Sequence, residues 1–81
     1  MKSKKPVIID VRNPDQFAQG HAPESFNIPL PEMEARLDEI KKIKAPIVVV
    51  CGGGTRNIKA HELLNKYGVE NTAGGSWKKY Q

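Results

Sequence analysis

The sequence predicts a small α/β fold in which a central parallel sheet of about four strands is flanked by helices. Short β-branched runs alternate with segments of helical spacing along the chain, a pattern typical of parallel strands joined by helical crossovers. Residues 46–50, PIVVV, are apolar throughout, as expected of a central strand that is buried on both faces. A chain of 81 residues has room for one domain, so we expect a single domain over residues 1–81.

Four segments have the composition of strands. They are residues 6–11 (PVIIDV), 25–30 (SFNIPL), 46–50 (PIVVV) and 69–72 (VENT). Right-handed crossovers bring the carboxyl ends of parallel strands to one edge of the sheet, where such folds bind ligands. The only cysteine, Cys51, directly follows the most apolar strand, so we expect the functional site at this edge.

Three segments have the apolar spacing of helices. They are residues 13–20, a segment from residue 31 with apolar positions Met33, Leu37, Ile40 and Ile43, and residues 56–67. Asn13 and Pro14 form a typical helix start, with a capping side chain followed by proline at the first helical position. Gly20 and Gly68 are expected to end the first and third helices.

The formal net charge is +4, and lysines at both ends of the chain contribute to it. We interpret these lysines as solubilising and residues 1–5 as a flexible basic terminus, because nucleic-acid binding requires arginines interleaved with aromatic residues. No stretch approaches the roughly 18 apolar residues of a membrane span, and no signal-peptide pattern precedes the first strand. We therefore expect a cytoplasmic monomer that binds neither nucleic acid nor membrane.

The count of cysteine and histidine limits the chemistry of the site. A single cysteine excludes an internal disulfide and a CxxC redox pair, and His21 and His61 lack the spacing of metal ligands. We therefore expect no metal and no organic cofactor. We expect His21 to bond to the backbone rather than to act as a base for Cys51, and His61 to face solvent.

Residues 51–56, CGGGTR, join the most apolar strand to the third predicted helix. Three consecutive glycines let the chain curl tightly and turn successive N–H groups inward, and the start of the helix adds unpaired N–H groups. A thiol at the centre of such a ring has a lowered pKa, because these donors stabilise the thiolate. The candidate site therefore consists of the nucleophile Cys51 and an anion-binding loop formed by Gly52, Gly53, Gly54, Thr55 and Arg56.

Other interpretations of this loop fit less well. A buried cysteine before a flexible turn is common, but it does not explain an arginine and a helix start at the end of the loop. The phosphate loop of NTPases needs Gly-Lys-Ser/Thr, which the chain lacks, and the third glycine of a dinucleotide fingerprint is replaced by Asn57.

The chain resembles the rhodanese family of sulfurtransferases, and in its compactness the phage-shock-protein-E type. The resemblance rests on residues 8–30 (IIDVRNPDQFAQGHAPESFNIPL), 47–56 (IVVVCGGGTR) and 73–80 (AGGSWKKY). These segments are similar to the family's opening Asp-Val-Arg strand with its Gly-His and Asn-Ile-Pro, its Cys-x4-Arg loop, and a closing tryptophan after paired glycines. The resemblance implies a small three-layer rhodanese-like fold with Cys51 as the residue that carries sulfur as a persulfide.

The resemblance also implies the partners and the reaction. Cys51 would take sulfur from a small anionic donor, thiosulfate or mercaptopyruvate, and pass it to cyanide, a thiol or a protein acceptor. Gly52 stands where thiosulfate-preferring members carry a basic residue, which leaves the donor open. The alternatives are a non-catalytic sulfur-carrier or interaction module and a small phosphatase or arsenate reductase, whose loop is one residue longer.

Five further residues carry expectations from the family pattern. Glu24 and Ser25 stand where the family has Gly-Ala, and the backbone at the glycine position is expected to be strained. Asp10 and Arg12 are interpreted mainly as a charge pair that braces the loops, with a role in the site as the alternative. Trp77 is expected to cover the core rather than to contact substrate, although the glycines before it also allow a position at the pocket rim.

Overall fold

A computed structural model describes residues 5–81 of the chain. Its four strands are β1 (Val7–Asp10), β2 (Phe26–Asn27), β3 (Ile47–Cys51) and β4 (Thr72–Ser76). They form one sheet in the order β2-β1-β3-β4, and every neighbouring pair is parallel. The predicted four-stranded parallel α/β fold is confirmed. Of the predicted flexible terminus, residues 1–4 lie outside the described part of the chain.

Helices occupy the connections between the strands. They are α1 (Pro14–Gln19), α2 (Leu37–Lys41) and α3 (Arg56–Lys66), with 3₁₀ turns at Leu30–Glu32, Glu34–Arg36 and Trp77–Tyr80. Asn13 is the N-cap of α1 and Pro14 its first residue, as predicted. The Gln16 side chain accepts from the backbone N–H of Asn13 at 3.1 Å, as the third helical residue of a capping box does. Within the described residues, no helix is long and apolar enough to cross a bilayer.

The helix predicted from residue 31 is only partly regular. Two 3₁₀ turns precede α2, with backbone bonds from Met33 N to Leu30 O and from Arg36 N to Met33 O. The apolar spacing was nevertheless informative, because Met33 and Ile40 are fully buried and Leu37 packs against the core. The pattern identified the buried face correctly but not the tighter winding of the first two turns.

The prediction of a last strand at residues 69–72 is wrong. Val69 is buried in the core, and its N–H bonds to the Leu64 carbonyl at the end of α3. The strand lies at Thr72–Ser76 instead, in a segment whose glycines disfavour β structure. Pairing with β3 overrides that local preference.

The core cluster includes one face of the sheet and the helices that cover it. Alternate residues of a strand point to the same face, and Ile9, Ile47 and Val49 join Ala60 and Leu64 of α3 in the buried core cluster. β3 is buried along its whole length, as predicted for a central strand. Because β3 is rigidly enclosed, the residue that ends it, Cys51, has a fixed position at the carboxyl edge of the sheet.

Candidate active site

Cys51 lies at the end of β3 and its side chain is held by donors from the loop that follows. The residue is 1% exposed and is a free cysteine. Backbone N–H groups of Gly53, Gly54 and Asn57 donate to its sulfur, and the Asn57 side-chain amide donates to Sγ at 3.1 Å. The predicted ring of amides around the thiol is therefore present, with Asn57 as an additional member.

These donors determine the acidity of the thiol. Burial by itself raises the pKa of Cys51, because it disfavours the charged form. The hydrogen bonds from the Asn57 side chain and from the three backbone N–H groups outweigh burial, so the pKa of Cys51 lies below that of an ordinary thiol. A larger share of Cys51 is therefore thiolate at neutral pH than for a free cysteine.

The predicted loop residues have different positions relative to the sulfur. Gly52, Gly53, Gly54 and Thr55 are exposed, and Gly53 has a φ of 110°, which a residue with a side chain rarely adopts. Thr55 precedes α3, and its carbonyl accepts from the N–H groups of the first turn. The loop therefore presents backbone amides to the sulfur while its outer surface stays open.

Arg56 begins α3, and its side-chain hydrogen bond goes to α1 and not to the cysteine. Its Nη1 donates to Oε1 of Gln16 at 3.3 Å, which links the loop to α1. This contact ties the end of the loop to the neighbouring helix. The role of Arg56 toward an oxyanion stays a prediction.

Asn57 is the site residue that the sequence reasoning missed. It is 4% exposed, and besides Cys51 its Nδ2 donates to the Gly54 carbonyl at 2.9 Å. Its Oδ1 accepts from the backbone N–H of Gly75 in β4 at 3.2 Å. A polar residue inside the first turn of the helix that follows the cysteine loop is the available signal, but by itself it does not indicate a contact with the sulfur.

Asp10 and Arg12 form the predicted charge pair at the end of β1. Arg12 donates through Nε and Nη2 to both carboxylate oxygens, at 2.8 to 3.1 Å, and both residues are buried. Nη2 also donates to the Gly20 carbonyl at 2.6 Å. The bond to Gly20 fixes the segment after β1 against the end of α1. A buried ion pair is stable only when its geometry is fully satisfied, and these bonds meet that condition.

A pocket of about 340 Å³ opens beside the cysteine loop. Its lining consists of Arg12, Gln16, Gln19, Gly20, Gly52, Trp77 and Lys78. The Arg12 guanidinium lies 4.9 Å from the centre of the Trp77 ring, within cation–π range. The expectation that Trp77 covers the core is corrected here, because the ring forms part of this pocket's wall.

The two histidines lie away from the sulfur contacts. His21 Nδ1 bonds to the Phe17 carbonyl at 2.7 Å, which confirms the predicted backbone role, and its ring stacks on Phe17. His61 is half-buried and bonds to Asn71 at 2.8 Å, so the prediction that it faces solvent is wrong. Within residues 5–81, no three side chains of metal-ligating type are clustered as metal ligands.

A larger cavity of about 700 Å³ lies at the opposite end of the strands. It contacts the beginning of β3 and β4, and its polar lining includes His61, Asn65 and Asn71, which bond to one another. None of residues 51–56 lines this cavity. The smaller pocket at the carboxyl edge is the candidate active site, because Gly52 of the cysteine loop forms part of its wall.

The chain is a parallel α/β domain whose buried thiol is surrounded by amides at the carboxyl edge of the sheet. These two features define a class of domains in which a cysteine forms the centre of the candidate site. The chain belongs to the rhodanese-like family: the family model, described as a rhodanese-like domain, matches residues 1–81. The chain is 39% identical over 70 residues to the thiosulfate sulfurtransferase PspE of Escherichia coli, covering 82% of this chain and 67% of that protein. It spans 62% and 59% of the length of matched relatives from Schizosaccharomyces pombe and Bacillus subtilis.

Solved structures show the same fold. A rhodanese with anions from E. coli superposes with a TM-score of 0.81 at 32% identity, covering 91% of this chain and 89% of that one. A rhodanese-like domain protein from Staphylococcus aureus gives a TM-score of 0.84 at 28% identity, covering 99% and 78%. The rhodanese-like fold expected from the resemblance is confirmed.

Proposed function

We propose that this chain is a sulfurtransferase that carries sulfane sulfur as a persulfide on Cys51. The observation that carries the proposal is the thiol itself, which is buried among four N–H donors and has a lowered pKa. Such a thiolate is available as a nucleophile at neutral pH. The named sulfurtransferase among its relatives supports the same reaction class.

The loading step transfers one sulfur atom from an anionic donor. The Cys51 thiolate attacks the outer sulfur of thiosulfate and forms a new S–S bond. The donor's own S–S bond breaks, and its electron pair leaves with sulfite. Lys78 and Arg12 line the adjoining pocket. Arg12 is paired with Asp10, so the charge of Lys78 is the one that favours an anion there.

The discharging step returns Cys51 to the thiolate. Cyanide or a thiolate acceptor forms a bond to the outer sulfur, and the electron pair of the persulfide bond stays on Sγ of Cys51. The acceptor has to enter from outside the chain, because Cys51 is the only cysteine. Gly52, Gly53, Gly54, Thr55 and Arg56 are proposed to bind the donor and to stabilise the persulfide.

Intact mass spectrometry tests this proposal directly. After incubation with thiosulfate, and separately with mercaptopyruvate, we expect the protein to gain the mass of one sulfur atom and to lose it on addition of cyanide. The Cys51→Ser variant should gain none. Release of thiocyanate over many cycles distinguishes an enzyme from a sulfur carrier that loads but does not turn over.

Two outcomes would contradict the proposal. If neither donor loads Cys51 while an aryl phosphate is hydrolysed, the chain is a phosphatase despite its four-residue loop. If no sulfur is gained and no phosphate is released, the domain is an interaction module without sulfur chemistry.

A further inference from the structure

The orientation of the Asn57 side chain is determined by its hydrogen-bond partners. Its Oδ1 faces the N–H of Gly75, which only donates, and its Nδ2 faces the Gly54 carbonyl, which only accepts. Turning the amide over would set two donors against each other and two acceptors against each other. A side-chain N–H of Asn57 is therefore directed at the sulfur of Cys51, with Nδ2 3.1 Å from Sγ.

An irregularity in β4 provides the partner that holds this amide. The pairing with β3 shifts between Val49 and Val50, so that Val49 faces Ala73 and Val50 faces Gly75. Gly74 is left over in this shift, and Gly75 has a φ of 80°. A bulge of this kind re-aims backbone groups, and here the N–H of Gly75 donates to Oδ1 of Asn57.

We propose that Asn57 is a positioning residue for Cys51. The side-chain amide of Asn57, which Gly75 holds in place, orients Sγ of Cys51 and stabilises negative charge on that sulfur. The amide also joins three parts of the site, since it contacts the thiol, the loop and β4. The part of this inference that concerns sulfur discharge rests on the proposed function. The part that concerns negative charge on the Cys51 sulfur does not.

In the discharging step the contact acts where charge develops. As the acceptor bonds to the outer sulfur, the electron pair of the breaking S–S bond moves onto Sγ. The Asn57 N–H is already directed at that atom, so it stabilises the leaving thiolate without reorganisation. Removing the amide should therefore slow discharge as well as change the acidity of the thiol.

The pH dependence of alkylation measures this role without any sulfur donor. We would follow the rate of Cys51 alkylation by iodoacetamide against pH in the wild type, Asn57→Ala and Asn57→Asp. Loss of one charge-stabilising hydrogen bond should raise the midpoint by about one pH unit in Asn57→Ala. Asn57→Asp should raise it further, because its carboxylate keeps the Gly75 bond but turns an oxygen toward Sγ.

Asn65→Asp is the matched control, since it introduces the same charge on an exposed residue of the same helix. Its midpoint should equal that of the wild type. Thermal unfolding of each variant identifies the folded ones, and alkylation of either folded Asn57 variant at the wild-type midpoint would overturn the inference. If both Asn57 variants are unfolded while Asn65→Asp is folded, Asn57 is structural and the inference fails.

The two proposals fail in different ways. Wild-type protein that takes no sulfur from thiosulfate, combined with shifted midpoints in the Asn57 variants, refutes the sulfurtransferase function and supports the role of Asn57. Wild-type protein that loads sulfur, combined with unchanged midpoints, does the opposite.

Discussion

Glu24 adopts a backbone conformation that favours glycine, with a φ of 63°. It is the only non-glycine residue with positive φ among residues 5–81. This confirms the strain expected from the departure at this position. The left-handed region costs an L-residue about 1–2 kcal/mol. Within residues 5–81, the exposed Glu24 side chain has no hydrogen-bond partner that would offset this cost.

Glu24→Gly should therefore stabilise the fold. Relief of the strain exceeds the extra chain entropy of glycine in the unfolded state, so we expect the free energy of unfolding to rise by about 0.5–1 kcal/mol. Urea denaturation measures the change. As a control, Glu62→Gly places the same substitution at an exposed position inside α3 and should destabilise by about 1 kcal/mol. Equal losses in both variants would show that position 24 is not strained.

The contacts of Asn57 could not be predicted from the sequence. The cysteine and the glycines could be recognised from their order along the chain, because a strand, a loop and a helix start are local features. The partner of Asn57 is Gly75, 18 positions further on. That contact depends on the register of β3 against β4, and no local pattern contains this information.

At the scale of elements, β4 departs most from local preference. Its sequence TAGGS has little β propensity, so composition placed the strand too early. Gly74 explains why small residues are needed here. A Cβ at this position would lie 2.5 Å from Val48 Cγ1, 2.9 Å from the Tyr80 hydroxyl and 3.1 Å from Val50 Cγ1, so the strand packs against its neighbours only without a side chain.

Gly74→Ala should therefore destabilise the sheet. The added methyl group forces β4 away from β3, and overpacking of this kind costs about 1–3 kcal/mol. Chemical denaturation measures the loss. Gly54→Ala is the comparison for stability alone, because no atom lies within 4 Å of its Cβ position. Similar stability of the two variants would mean that β4 yields without cost.

At the scale of the whole molecule, the parallel arrangement collects the site at one edge. Arg12 follows β1, Cys51 ends β3 and Gly75 lies in β4, and these three strands are adjacent in the sheet. The alternation of strands and helices was sufficient to predict this edge, because crossover handedness is general. The pocket wall could not be predicted, since Trp77 reaches Gly20 and Arg12 through tertiary packing.

The lowered pKa of Cys51 links the site to the stability of the fold. The folded state holds the thiolate better than the unfolded chain does, whose thiol has a pKa of about 8.5. At pH values between the pKa of Cys51 in the folded state and its pKa in the unfolded chain, the unfolded state binds more protons than the folded state. The free energy of unfolding therefore rises with pH in this window. The contribution is complete above the unfolded pKa and is lost as pH falls through the folded pKa.

The difference in unfolding free energy between the wild type and Cys51→Ser isolates this contribution. As pH rises through that window, the free energy of unfolding of the wild type should rise relative to that of Cys51→Ser. The rise should be about 1.4 kcal/mol for each pH unit between the two pKa values. Denaturation at a series of pH values under reducing conditions measures it. Serine stays neutral across this range, so it removes the titration while keeping a small polar side chain. A difference that stays constant with pH would show that folding does not favour the thiolate, and that the ring of amides leaves the acidity of Cys51 unchanged.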